Sequence, residues 1–194
     1  MQKTLALLAS LAVLSACSPQ TEPTPDASDA TPATASQATA GTPVVSASPA
    51  ASARTLTLEG LGDLRIGQPV PAGSTWAESE GQASDTCRTI NSPDYPGVYA
   101  IVEEGKVRRI TVGQRSDVKL AEGIGVGATE KEAISWFPFP ATPHVYEEAP
   151  AKYLTAPNAR SGDPALRLEI GQDGRVSLIH VGTAPTLEYV EGCA

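Results

Sequence analysis

The sequence contains no run of basic residues. Its longest basic feature is Arg108-Arg109, and neighbours on a strand point to opposite faces, so the two cannot form one patch. With 14 Lys and Arg against 22 Asp and Glu, and a formal charge of -8, nothing in the chain would release counterions from a phosphate backbone, which excludes nucleic acid as a partner. Histidine is equally scarce: His144 and His180 are the two present, with no His-x-x-x-His pair and no Cys/His cluster, so neither a metal site of ordinary ligand count nor any other cofactor is expected. There is no Gly-x-Ser-x-Gly elbow to present a serine nucleophile and no Asp-x-Asp-x-Asp-Gly loop to hold calcium. Gly123, Gly125 and Ala128 fit Gly-x-Gly-x-x-Ala, but a dinucleotide site needs a parallel βαβ unit, so these glycines read as turn residues. The apolar stretch Leu5–Leu14 is too short for a hydrocarbon layer that takes about 20 helical residues to cross.

That short stretch has a different meaning. Lys3, the apolar residues 5–14 and the small Ala16 describe a secretory signal over residues 1–16. Leu14-Ser15-Ala16-Cys17 resembles the lipobox of bacterial lipoproteins, which implies cleavage before Cys17 and diacylglycerol on its thiol. Several acyl chains on one residue anchor far more firmly than one. Ser18 follows the cysteine, and by resemblance to the enterobacterial sorting rule it implies the outer membrane. The expected location is therefore the cell envelope, lipid-anchored, facing the periplasm or the cell surface. Cys87 and Cys193 then remain in a compartment that permits disulfides. A bond between them would close a loop of roughly 107 residues and stabilise the fold by about 2 to 4 kcal/mol; the alternative is a reactive thiol or a metal ligand, the latter without a further Cys or nearby His to complete a set.

From residue 18 to 53, 28 of 36 residues are Pro, Ala, Ser or Thr. Such a composition buries too little apolar surface to offset the entropy of ordering it, so residues 17–53 read as the lipidated cysteine and a disordered tether with a reach of roughly 30 to 36 Å. All aromatic residues lie beyond it, which places the globular domain at 54–194. Within that domain a degenerate repeat is visible. Ile66-Gly67 with Trp76 matches Val126-Gly127 with Trp136 at an offset of 60, Ile90–Asp94 matches Leu154–Asn158 at 64, and Gly105–Gly113 matches Gly174–Gly182 at 69. Three collinear matches point to two units, about 56–113 and 118–183, the second trailed by the C-terminal disulfide segment.

Each unit ends in two β-rich runs. Residues 97–103 and 106–112 flank Glu104-Gly105, and residues 165–170 and 175–181 flank Gln172-Asp173-Gly174; both patterns predict antiparallel hairpins. The imperfect alternation of 106–112 predicts that both faces are partly covered. Thr129-Glu130-Lys131-Glu132 is a capping-box start for a short helix, with Ala133, Ile134 and Phe137 as its buried stripe and Pro138 and Pro140 ending it. Pro69, Pro71 and Gly73 occupy the corresponding stretch of the first unit and predict a turn there. The recurring Trp76 and Trp136 are expected to be equivalent core anchors. The fold class is α+β: mainly antiparallel sheet with one or two short helices. The scheme of a Gly-bounded start (residues 125–132), short helix and antiparallel strands resembles the tandem repeat of the β-lactamase-inhibitor-protein class and the related small outer-membrane-assembly lipoproteins. That resemblance implies a non-enzymatic α+β binding module.

Candidate functional residues are few. His180 lies mid-strand and reads as structural. His144, between Pro143 and Tyr146, is expected to be exposed. Aromatics beside prolines are the side chains that recognition surfaces use, so Tyr95, Tyr99, His144 and Tyr146 form the expected binding surface, and an envelope protein the expected partner. The alternative is an extracytoplasmic hydrolase or carbohydrate-active enzyme using His144 with Glu147 or Glu148.

Overall fold

A computed structural model describes residues 54–79, 84 and 86–193; the signal, the lipobox with Cys17 and the tether lie outside the described residues. Twelve strands and one α-helix follow in the order β1 Thr55–Thr57, β2 Gly60–Leu61, β3 Leu64–Arg65, β4 Ala77–Glu78, β5 Cys87–Asn91, β6 Val98–Glu103, β7 Lys106–Val112, β8 Lys119–Leu120, α1 Glu130–Trp136, β9 Ala141–Pro143, β10 Lys152–Thr155, β11 Ala165–Ile170 and β12 Val176–Gly182, with a 3-10 turn at Thr186–Glu188. These counts refer to the described residues. No described helix is long and apolar enough to cross a membrane.

Eight strands form one sheet in the order β4-β5-β6-β7-β12-β11-β10-β9, and a small sheet runs β3-β2-β1-β8. Every pair in the large sheet is antiparallel; β1 and β8 form a parallel pair in the small one. The large sheet therefore joins four strands from the first half of the domain to four from the second along the β7–β12 seam. There Thr111 stands opposite His180, Ile110 opposite Val181 and Val112 opposite Ile179.

The predicted hairpins form. In the first, Glu104 and Gly105 connect β6 to β7 with φ of 52° and 74°, the left-handed pair that suits a two-residue type I′ connection. Each hairpin also carries a break in register: the β6–β7 ladder skips Arg108, and the β11–β12 ladder skips Ser177. An extra residue of this kind exchanges the faces on which successive side chains lie. The alternation of 106–112 looks imperfect for that reason, and both faces of the sheet are indeed covered.

On one face the core is aliphatic. Ile90, Val98, Ala100, Val102, Val107, Ile110 and Val112 from the first half pack with Leu154, Leu166, Leu168, Ile170, Val176, Ile179 and Val181 from the second, under Leu56, Leu61, Leu64, Leu120 and Ala133 from the small sheet and α1. Burying a side chain of this size stabilises by about 1.5 to 3 kcal/mol. The Pro69–Gly73 stretch is a turn segment, as its composition predicts.

Helix α1 starts where the capping box places it. Glu132 N–H donates to Thr129 Oγ1 at 3.2 Å and Thr129 N–H to Glu132 Oε2 at 2.8 Å. Its buried stripe is narrower than predicted: Ala133 is buried and Phe137 partly so, but Ile134 is exposed. The expectation of two equivalent tryptophan anchors also fails. Trp76 is buried and stacked on Tyr95, whereas Trp136 is 59% exposed. The cause lies in the helix: α1 spans seven residues, and the i, i+4 stripe of Ala133 and Phe137 leaves position 136 turned away from the core.

Candidate functional site

The second face of the large sheet is largely polar, with Ile101 and Leu178 as apolar members. Strand alternation puts Tyr99 and Glu103 of β6, Arg109 and Thr111 of β7, His180 of β12, Arg167 and Glu169 of β11 and Tyr153 of β10 on this side. Two segments cover it. One is the β9–β10 connection with His144; the other is the C-terminal stretch 183–193, whose Cys193 is bonded to Cys87 on β5.

Glu169 is the hub of the second half. His144 Nδ1 accepts the backbone N–H of Tyr146 at 3.1 Å and of Glu147 at 2.9 Å, so its proton sits on Nε2, 3.2 Å from Glu169 Oε1. On the other side His180 Nε2 lies 3.8 Å from Glu169 Oε2. His180 Nδ1 is 3.0 Å from the Thr111 hydroxyl. Complete burial pushes His180 down to about 4, so at neutral pH the imidazole is uncharged. Burial works to raise the Glu169 carboxyl, but the imidazole groups of His180 and His144 directed at it outweigh that and hold it below the usual glutamate value. Because the two histidines take opposite oxygens of one carboxylate, they do not converge on a single point as metal ligands would.

Both arginines of this face are buried, and burial lowers both from their ordinary value. The Arg109 guanidinium donates from Nη1 to the carbonyls of Thr186 at 3.1 Å and Tyr189 at 2.5 Å, and lies 6.0 Å from the Tyr99 ring centroid. Arg167 stacks at 3.8 Å over the ring of Tyr153, which in turn stacks on His144 at 4.7 Å. Its Nε finds no hydrogen-bond partner, so its cation is accommodated by an aromatic face.

In chemical terms, hydroxyl, imidazole and carboxylate stand in the sequence Thr111–His180–Glu169, the order of a nucleophile, base and orienting acid. The hydroxyl, however, has no exposed surface. Thr111 and His180 are thus packed away from solvent, while Glu169 keeps a partly exposed edge.

The predicted site residues divide into two groups. His144 is not exposed as expected: its imidazole is buried beneath its own loop, because Tyr153 and Glu169 offer it a stacking surface and an acceptor. The carboxylate it meets is Glu169, and Glu147 contributes a backbone N–H. Tyr146 is exposed, its hydroxyl bonded to Glu191. Tyr99 on β6 and Tyr95 in the β5–β6 connection belong to the other half of the domain. With Pro93, Pro96, Gln114 and Arg115 they line an open groove of about 740 Å³. Tyr95 is held by Trp76, 5.5 Å away and nearly parallel, and by the Arg54 guanidinium 5.5 Å from its ring centroid; Arg54 is itself fixed to Asp117 at 2.7 Å. A second, apolar groove of about 280 Å³ lies between Leu58, Leu120, Phe137, Phe139 and Leu166.

No protein family, curated protein or solved structure matches this chain.

Sequence reasoning missed Glu169, Arg167, Arg109, Thr111 and Glu103. A signal existed in the alternation of residues 166–170, Leu-Arg-Leu-Glu-Ile. Alternation of this kind ordinarily marks a solvated sheet face; only the covering segments, distant in sequence, make it a buried network.

Proposed function

We propose that the chain is an envelope lipoprotein, anchored through Cys17 and directed to the outer membrane, whose domain is a duplicated, non-enzymatic module that binds a protein partner. The sequence Leu14-Ser15-Ala16-Cys17 behind an apolar stretch supports the anchor. Several features support duplication. The strand order of the large sheet reads as two matching sets of four. With an offset of 69, Thr111 is the counterpart of His180, and these two stand opposite one another at the seam, as residues on a twofold axis would. The register breaks at Arg108 and Ser177 are counterparts as well. So are two backbone brackets: Gly67 N–H to Val107 O at 2.7 Å with Val107 N–H to Gln68 O at 2.9 Å, and Gly127 N–H to Val176 O at 2.8 Å with Val176 N–H to Ala128 O at 2.8 Å. These matches favour the resemblance to the β-lactamase-inhibitor-protein class and its lipoprotein relatives.

The observation that carries the binding reading is the contrast between the two polar regions. The Thr111 hydroxyl and the His180 imidazole are buried, while the groove at Tyr95 and Tyr99 is open and built from pre-oriented aromatics, prolines and a cation, the chemistry that interface anchors use. A photoreactive amino acid at position 99 in intact cells should give a discrete adduct that Tyr95→Ala diminishes. No adduct above that of a distant surface position would sink the assignment. The anchor is tested separately: Cys17→Ser should move the protein from the membrane to the soluble fraction.

A further inference from the structure

The C-terminal stretch 183–193 is attached to the domain in an unusual way. Leu187 is its single fully buried aliphatic residue, set against Ala156, Ala159 and Ala165. Beyond it Glu188 and Tyr189 are half-buried and Val190 is 43% exposed. Apart from Leu187 it is held by polar contacts: Arg109 takes the carbonyls of Thr186 and Tyr189, Glu103 accepts hydrogen bonds from the Thr186 hydroxyl and, at 3.1 Å, from the Tyr189 hydroxyl, Arg160 donates to both carboxylate oxygens of Glu188 at 3.2 and 3.1 Å, and Glu191 accepts from the Tyr146 hydroxyl. One cation and one carboxylate on the sheet thus read the same two positions, three residues apart. Pairs of this kind read a peptide's main chain and side chains together.

Three further features set this strap apart from a packed terminus. An open groove of about 530 Å³ borders it between Glu103, Arg108, Pro185 and Tyr189. The floor beneath it combines Glu103, Arg109 and Tyr99 with the fully buried Ile101, so it offers a leucine-bearing segment both polar and apolar contacts. Its far end is clipped covalently to β5 through Cys87–Cys193, a bond that holds in place a segment with little apolar contact of its own.

We propose that the strap is the resident occupant of a peptide-binding site on the polar face of the sheet, and that this site accepts from a partner protein a segment carrying a hydroxyl residue followed by leucine, with a tyrosine three positions after the hydroxyl. The inference rests on the binding-module reading and names its partner's chemistry. The strap, Thr186-Leu187-Glu188-Tyr189, is the pattern the site already holds. Displacement requires the far end to be free, which takes a dithiol reductant: its two thiols become a disulfide as the Cys87–Cys193 bond becomes two thiols, and until that exchange the site stays closed.

The test uses the full chain carrying Cys87→Ser and Cys193→Ser, with a fluorescent peptide of residues 183–192 as the probe. Amide exchange across 184–192 should accelerate at least tenfold in the variant while β6, β7, β11 and β12 keep their protection. The peptide should bind the variant and not the disulfide-bonded parent, and Thr186→Val with Tyr189→Phe in the peptide should weaken binding at least tenfold. Unchanged strap exchange, joint loss of protection in strap and sheet, or a peptide that binds both proteins equally or neither would overturn the proposal. An adduct at position 99 in cells combined with no peptide binding would overturn this site and leave the binding-module reading standing; peptide binding without that adduct would do the reverse for the open groove.

Discussion

At the scale of single residues, His180 and Glu169 respond to acid in different windows although they touch the same network. His180 sits at about 4 in the fold and near 6.5 in an unfolded chain, so between those values the unfolded state binds the proton and the native state does not. Stability is therefore full above the unfolded value and falls as pH drops from about 6.5 toward 4, by roughly 3 kcal/mol for a shift of this size. Glu169 is held below its ordinary value, so its contribution persists above about pH 4.5 and is lost at lower pH, as the medium passes through its folded value. Urea midpoints measured from pH 7 to pH 4 should show the first decline, and His180→Gln should flatten it even though the variant starts from a lower plateau. A slope unchanged by that substitution would mean that another group titrates there. The structural role of His180 is legible in the sequence from its mid-strand position. The burial of His144 is not, because it depends on Tyr153 and Glu169, whose approach is set by strand pairing and not by neighbours in the chain.

Elements were the most legible level. The hairpin from Val98 to Val112 and the start of α1 follow from turn residues and a capping box, both local in sequence and both able to satisfy backbone groups without help from the rest of the chain. Thr129→Ala removes the cap and should cost about 1 kcal/mol in a urea titration; loss of less than a few tenths would show that tertiary packing alone fixes the helix start. What the helix buries was less legible, since seven residues carry too little periodicity to decide between Ile134, Trp136 and Phe137. The connection before β6 makes a sharper demand. Gly97 has φ of +75°, and a Cβ there would lie 2.3 Å from the carbonyl oxygen of Gln114, in the loop that closes the Tyr95–Tyr99 groove. Gly97→Ala therefore combines an unfavourable backbone region with a clash against main chain, and it should destabilise by about 2 kcal/mol or more. The same variant should weaken crosslinking at position 99, because the loop carrying Gln114 and Arg115 must move.

On the scale of the whole molecule, the disulfide ties the last described residue to the second strand of the large sheet across a sequence separation of 106. The pairing follows from counting cysteines, but the path of the strap over the polar face does not, because nothing local in 183–193 distinguishes a covering segment from a free tail. A crosslink of this span acts chiefly on the unfolded chain, whose freedom it restricts. Removing it with Cys87→Ser and Cys193→Ser should lower stability by about 2 to 4 kcal/mol. It should also raise the denaturant slope, since an unlinked unfolded chain exposes more surface. The two readouts separate causes that a midpoint alone would merge. A fall in stability with a raised slope places the effect in the unfolded ensemble, and any excess over the chain-entropy value then belongs to contacts of the strap. A fall with an unchanged slope would instead locate the whole loss in the folded state, where the hydrogen bonds from Arg109 and to Glu103 are the contacts that the freed strap gives up.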